Sequence, residues 1–128
     1  MNEKAPNPLA GHHAFGLSPD QQQILDEADK WSRKEIYPLA QRMDDEEWWP
    51  NDIFPKIGEQ GYFGITVSEE YGGVGLDFFT SGLICQAMGR WNYALALSYI
   101  AHENLCLNNI YRNANDDLRR KYLPDLCS

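Results

Sequence analysis

The sequence predicts an all-α domain of about five helices in an orthogonal, irregular bundle, and three observations carry that expectation. Apolar residues recur at three- and four-residue spacing through most of the chain. Capping residues stand at the head of each such stretch. No two alternating runs make a convincing strand pair. A length of 128 residues fits one domain, and a chain of that size buries about two-thirds of its unfolded surface. A hydrophobic fraction of 43% with 23% charged residues argues against wholesale disorder.

Residues 1–16 are rich in Pro, Gly, Ala and His and show no period, so they read as a flexible lead-in to a domain spanning 17–128. His12-His13 lacks further ligands and reads as exposed tail rather than a metal site. Ser18-Pro19-Asp20-Gln21 then starts the first helix: Ser18 caps, Pro19 suits the first position and Gln21 completes a capping box. Ile24, Leu25, Ala28, Trp31, Ile36, Leu39 and Met43 mark its buried face, with a kink expected at Pro38. Asn51 is the expected cap of a short second helix facing inward through Ile53, Phe54 and Ile57 and stopped by Gly61.

Phe63 to Val67 reads as extended and too short for a sheet. In Gly72-Gly73-Val74-Gly75, three glycines in four residues point to positive φ or close backbone approach. Asp77 caps the expected third helix, with Phe78, Leu83, Ile84, Ala87 and Met88 inward and Gly82 hinting at close helix contact. Asn92 caps a fourth helix to about Arg112, so apolar in its first half that burial on most sides is expected. Asn115 caps a fifth, ending before Pro124.

The net charge of −8 disfavours nucleic acid and anionic membrane surfaces as partners. The run Asp44-Asp45-Glu46-Glu47 reads as a solvated helix end or loop, because four adjacent carboxylates do not converge on one cation. Three cysteines without a CxxC pair fit a reduced protein, with Cys85 and Cys106 as small core residues. The longest nearly apolar run, Tyr93 to Ala101, is too short to span a bilayer. No signal or transit pattern is seen, so a cytoplasmic location is expected.

No self-contained catalytic set stands out. His102 is the one histidine after the lead-in, and no serine lies in a nucleophile-elbow context. A di-iron bundle needs Glu-x-x-His, and residue 99 is Tyr. The glycine segment lacks the Lys-Ser/Thr of a P-loop, and Glu69 and Glu70 before it would repel phosphate. Leu97, Ala101 and Leu105 recur at i, i+4 and i+8 with a small residue in the middle. They are either core or a pocket wall in which Ala101 leaves room for an apolar ligand.

Gly61-Tyr62-Phe63-Gly64-Ile65 with Glu69-Glu70-Tyr71-Gly72-Gly73-Val74-Gly75-Leu76 resembles the N-terminal domain of acyl-CoA dehydrogenases. Leu97-Ser98-Tyr99-x-Ala101-His102-x-Asn104-Leu105-Cys106 is similar to the isovaleryl-CoA dehydrogenase branch, with Ile100 where that branch tends to have Gly. Arg112-Asn113-x-Asn115 and Lys121-Tyr122-Leu123-Pro124 continue the likeness. The resemblance implies α,β-dehydrogenation of a short branched acyl-CoA, in which a glutamate takes the α-proton and FAD accepts the β-hydride. Electron-transferring flavoprotein is the implied electron acceptor, and the complete enzyme is expected to be a homotetramer.

It further implies that Leu97, Ala101, Leu105 and, more weakly, Ser98 shape the acyl end of the pocket. The flavin loops and the catalytic glutamate belong to the family's middle β-domain and C-terminal helical domain, and Glu103 does not match the base's position. The chain by itself is therefore expected to be inactive, to retain no FAD, and to self-associate through faces the other domains would cover. A related acyl-CoA oxidase or flavin monooxygenase shares this architecture. A helical module that binds a partner without catalysis is the alternative of a different class.

Overall fold

A computed structural model describes residues 16–128. The features read in residues 1–15, His12-His13 among them, lie outside the described residues. Helix α1 (Pro19–Glu35) starts on the expected capping box. The Gln21 amide donates to Ser18 Oγ at 3.2 Å, and Gln21 Oε1 accepts from the Ser18 amide at 3.0 Å. Pro38 has no N–H to continue the ladder, so the backbone tightens into a 3₁₀ turn (Tyr37–Leu39) and resumes as α2 (Ala40–Glu46). Asp44 to Glu47 are exposed at its end, as a solvated helix terminus.

Helix α3 (Ile53–Glu59) starts one residue later than expected, with Asp52 rather than Asn51 at its head. No side chain caps it, because the Asp52 carboxylate pairs with Lys56 at 2.7 Å instead. Gly61 ends it at φ 71°. The Gly61 amide donates to Gly58 O (2.8 Å) and the Tyr62 amide to Ile57 O (3.3 Å), the double bond pattern of a Schellman stop.

Phe63 to Val67 is not extended. It is a chain of bends and turns with Gly64 at φ 68°, and Phe63, Ile65 and Val67 are all buried. A 3₁₀ turn (Glu69–Tyr71) leads into the glycine segment, which doubles back on it. Val74 N–H donates to Gly64 O (2.9 Å), Gly75 N–H to Val67 O (2.8 Å) and Leu76 N–H to Ile65 O (2.7 Å). Gly72 and Gly75 take positive φ, and Gly73 presses against Val67, so both roles expected of the glycines are present.

Helix α4 (Phe78–Trp91) is capped by Asp77, whose carboxylate accepts from the Thr80 amide at 2.8 Å. Leu83, Ile84, Ala87 and Met88 face inward, but Phe78 does not. It lies on the face opposite Ile84 and Ala87, beneath the Arg112 guanidinium. Gly82 is exposed with open space around it, so no close helix contact requires it.

Asn92 caps α5 (Tyr93–Ile100), accepting from the Leu95 amide at 3.1 Å, and its Nδ2 donates to Ile36 O across the bundle at 3.0 Å. The rod continues through a π-helical stretch (Ala101–Leu107) into α6 (Asn108–Asn113). Burial on most sides is corrected: Leu95, Ala96, Tyr99, Glu103 and Leu107 are buried, while Tyr93 is 85% and Leu97 69% exposed.

Helix α7 (Asp116–Leu126), capped by Asn115, runs through Pro124 instead of ending before it. The carbonyl that Pro124 frees belongs to Arg120, an exposed residue, while buried Leu123 and Cys127 hold the last turn on the core. Cys127 is the buried thiol; Cys85 and Cys106 are half-buried, and all three are free. The kinked first unit, α3, α4, the α5–α6 rod and α7 make five helical units, with no strand among the described residues. The core lies where α1, α4 and α5 meet the buried turn of Phe63, Ile65 and Val67.

Candidate functional site

The α5–α6 rod has two faces with different chemistry. Tyr93, Leu97, Ala101 and Leu105 form one exposed line along it, with Leu97 at 69% and Leu105 at 71% exposure. The three apolar residues singled out in the sequence are thus brought together, on the surface rather than in the core. Ser98 sits half-buried at the edge, and its hydroxyl donates to Ala94 O of its own helix at 3.1 Å. Contiguous exposed apolar side chains of this kind favour contact with another surface over contact with water. Asn104 borders it, with a buried carboxamide oxygen that has no partner.

The opposite face carries a carboxylate that the sequence reading set aside as the catalytic base. Glu103 is fully buried, and its two oxygens accept from the Gly64 and Ile65 amides at 2.7 Å each. Burial raises its pKa, partly offset by the amides of Gly64, Ile65 and Thr66, which favour the anion. Tyr99 lies one turn away, its hydroxyl donating to Tyr62 O at 2.9 Å, and burial pushes that phenol far up. Burial likewise drives the Cys127 thiol up to about 11, with the Glu103 charge adding to it. A signal for Glu103 was present: Leu95, Tyr99, Glu103 and Leu107 fall in steps of four, which puts the carboxylate in phase with core residues.

His102 is held rather than poised. Its ring packs 4.3 Å from Phe63 and 5.5 Å from Phe54, and Nε2 lies 2.8 Å from Leu126 O, to which it donates. The glycine segment is no phosphate cradle either. The Gly73, Val74 and Gly75 amides are all spent on backbone carbonyls. Grooves indent the surface of the described residues, among them one of about 590 Å³ along α1 by Ile24 and Trp31 and one of about 560 Å³ between Phe54 and Leu126. Neither is lined by the exposed apolar residues of α5. Among the described residues no His, Cys, Asp and Glu side chains group to hold a metal, and no helix is long and apolar enough to cross a membrane. The apolar line can therefore bind by dispersion and water exclusion, and Glu103, with both oxygens occupied, is no free base.

The family model described as acyl-CoA dehydrogenase, N-terminal domain, matches residues 18–128. Over 115 residues the chain is 37% identical to the mitochondrial isovaleryl-CoA dehydrogenase of Bos taurus, covering 88% of this chain and 27% of that protein. It is 32% identical over 114 residues to the mitochondrial 2-methylacyl-CoA dehydrogenase of Solanum tuberosum, covering 88% and 28%. The fold superposes with a TM-score of 0.83 and 31% identity on a chain from a structure of the electron transferring flavoprotein of Acidaminococcus fermentans, covering 88% and 30%. It superposes at 0.81 with 26% identity on the FAD complex of PigA, again covering 88% and 30%. The chain spans a little over a quarter of the length of the two dehydrogenases. The five helical units, the glycine segment folded back on its turn, and a match over nearly all the described residues agree: this chain belongs to the acyl-CoA dehydrogenase family, whose N-terminal domain it is.

Proposed function

We propose that the chain forms one wall of the acyl pocket in a flavin-dependent enzyme that oxidises the α–β bond of a short branched-chain acyl-CoA, such as isovaleryl-CoA. The observation that supports this most is the exposed line of Leu97, Ala101 and Leu105, whose leucines are the most exposed large aliphatic side chains among the described residues. Two leucines around an alanine leave a shallow apolar dip, a shape suited to a branched alkyl end. Ser98 sits at its edge and contributes least, since its hydroxyl is engaged.

The residues present do not fit FAD. The apolar line carries no cation or free amide to meet a pyrophosphate, and the nearby Arg112 is bonded to Asn108 at 2.9 Å and covers Phe78. In this reading FAD and the base come from the rest of the enzyme, and the chain alone is inactive. A homotetramer that passes electrons to an electron-transferring flavoprotein completes the proposal. The free thiols of Cys85, Cys106 and Cys127 support a reducing compartment, here the cytoplasm.

The test replaces the N-terminal domain of the bovine isovaleryl-CoA dehydrogenase with residues 17–128 and assays acyl-CoA oxidation together with FAD content. The chimera is expected to prefer isovaleryl-CoA over a long linear acyl-CoA. Ala101→Trp, which fills the dip, should lower kcat/KM for isovaleryl-CoA by about tenfold at unchanged FAD content. An FAD-loaded chimera whose kcat/KM ignores that substitution refutes the proposal.

A further inference from the structure

Two residue series share the rod from α5 into α6, and both advance strictly by four. Leu95, Tyr99, Glu103 and Leu107 are each fully buried, while Tyr93, Leu97, Ala101 and Leu105 are exposed. An α-helix turns about 100° per residue, so each step of four overshoots a full circle by about 40°, and three steps swing a side chain by about 120°. Leu107 would then leave the face that Leu95 occupies. It does not, because the stretch Ala101–Leu107 is wound as a π-helix, and the Asn108 amide donates to the Glu103 carbonyl five residues back. A turn of more than four residues makes a step of four fall short of a circle, which takes the drift back.

A π turn is rare within an α-helical rod and calls for a specific cause. Here the anchor is visible. The Glu103 side chain leaves the rod within the π stretch, and both its oxygens are taken at 2.7 Å by amides of the turn that starts at Gly64. We propose that Glu103 is a positioning residue: tied to the Gly64 and Ile65 amides, it holds Ala101–Leu107 in its π form and so keeps Leu97, Ala101 and Leu105 in one line. Its effect on substrate choice rests on the pocket-wall reading; the winding itself does not.

The test uses the isotope-labelled chain and the scalar coupling that NMR detects across a hydrogen bond. The Asn108 amide should couple to the carbonyl carbon of Glu103. In Glu103→Leu, which keeps bulk and removes the acceptors, that partner should shift to Asn104, and the Gly64 and Ile65 amides should exchange at least about tenfold faster. If the coupling to residue 103 survives Glu103→Leu, the proposal is overturned. Should that variant not fold, Glu103→Gln decides: faster exchange at the two amides supports the proposal, and unchanged exchange at both overturns it. In the chimera, Glu103→Leu should alter the ratio of kcat/KM for isovaleryl-CoA over a longer acyl-CoA by about fivefold at constant FAD content, a readout that mere destabilisation does not move. A rewound turn with an unaltered ratio supports the positioning role and counts against the pocket wall.

Discussion

Gly73→Ala should be the most damaging of the glycine substitutions, and its size follows from the geometry. A Cβ on Gly73 would stand 2.5 Å from the Val67 carbonyl carbon and 2.6 Å from the Val67 Cβ, where ordinary contact begins at 3.4 Å. Neither atom is the loose end of a side chain, so the two segments must part by about 1 Å to reach ordinary contact. That separation breaks the three amide bonds that join them, Val74 to Gly64, Gly75 to Val67 and Leu76 to Ile65. At about 1 kcal/mol each, the loss is about 3 kcal/mol, before any loosening of Ile65 and Val67. Alanine returns up to about 1 kcal/mol by restricting the unfolded chain, so the net is about 2–3 kcal/mol. In a domain of this size that lowers Tm by about 7–11 °C. The assay is thermal unfolding followed by circular dichroism, with Gly82→Ala as control. Gly82 is an exposed helical glycine with nothing within 4 Å, so alanine there should stabilise by up to about 1 kcal/mol. A Gly73→Ala variant that melts within about 3 °C of wild type would refute the reasoning.

The buried acid sets a pH dependence. Burial raises the Glu103 pKa, so over the window from the ordinary carboxylate range upward the folded state holds the proton more tightly than the unfolded one. Its contribution is complete at low pH and is lost as pH rises through the raised value. Urea melts between about pH 4 and 8 should show wild type losing stability relative to Glu103→Gln as pH rises; parallel curves sink this. Cys127, buried with its thiol pushed up to about 11, should resist a thiol reagent at neutral pH until the chain unfolds, and rapid native labelling there would contradict the packing. Asn92→Ala removes both the Leu95 cap and the bond to Ile36 O, for an expected loss of about 2–4 kcal/mol in chemical denaturation. The bare line on the α5–α6 rod should drive self-association of the chain: Leu97→Glu with Leu105→Glu should return the sedimentation profile to monomer without lowering Tm.

Most of the fold was legible because its signals are local. Ser18, Asp77, Asn92 and Asn115 all cap the helices they were expected to cap, and each bond involves a backbone amide only three residues ahead. The misreadings fall where a competing contact decides. Asn51 lost the head of α3 when Asp52 took that place and paired with Lys56. Phe63 to Val67 looked extended by composition, yet its amides and carbonyls are claimed by Glu103 and by residues 74–76, which bend it. Pro124 failed to end α7 because buried Leu123 and Cys127 outweigh one lost hydrogen bond at an exposed turn. The apolar first half of the fourth helix was right as composition and wrong as burial, because hydropathy does not say which faces find neighbours within the same chain.

The candidate site was half legible, and the hidden half has an intelligible cause. Leu97, Ala101 and Leu105 were visible as a stripe because apolar residues at spacing four invite that reading. Glu103 was set aside because it does not match the position of the family's catalytic base, and its burial was not anticipated. Yet the pattern around it points to burial: if Leu95, Tyr99 and Leu107 are core, Glu103 shares their phase. A strict period of four over twelve residues drifts by about 120° on an unbroken α-helix, and the widened turn at Ala101–Leu107 reduces that drift. A buried carboxylate at a widened turn in turn requires donors from outside the helix. The described chain supplies them at Gly64, the one residue of that buried turn with a left-handed backbone, and at Ile65. Read together, the two series and the glycine identify the rod, its bend in period and its anchor from spacing and physical chemistry.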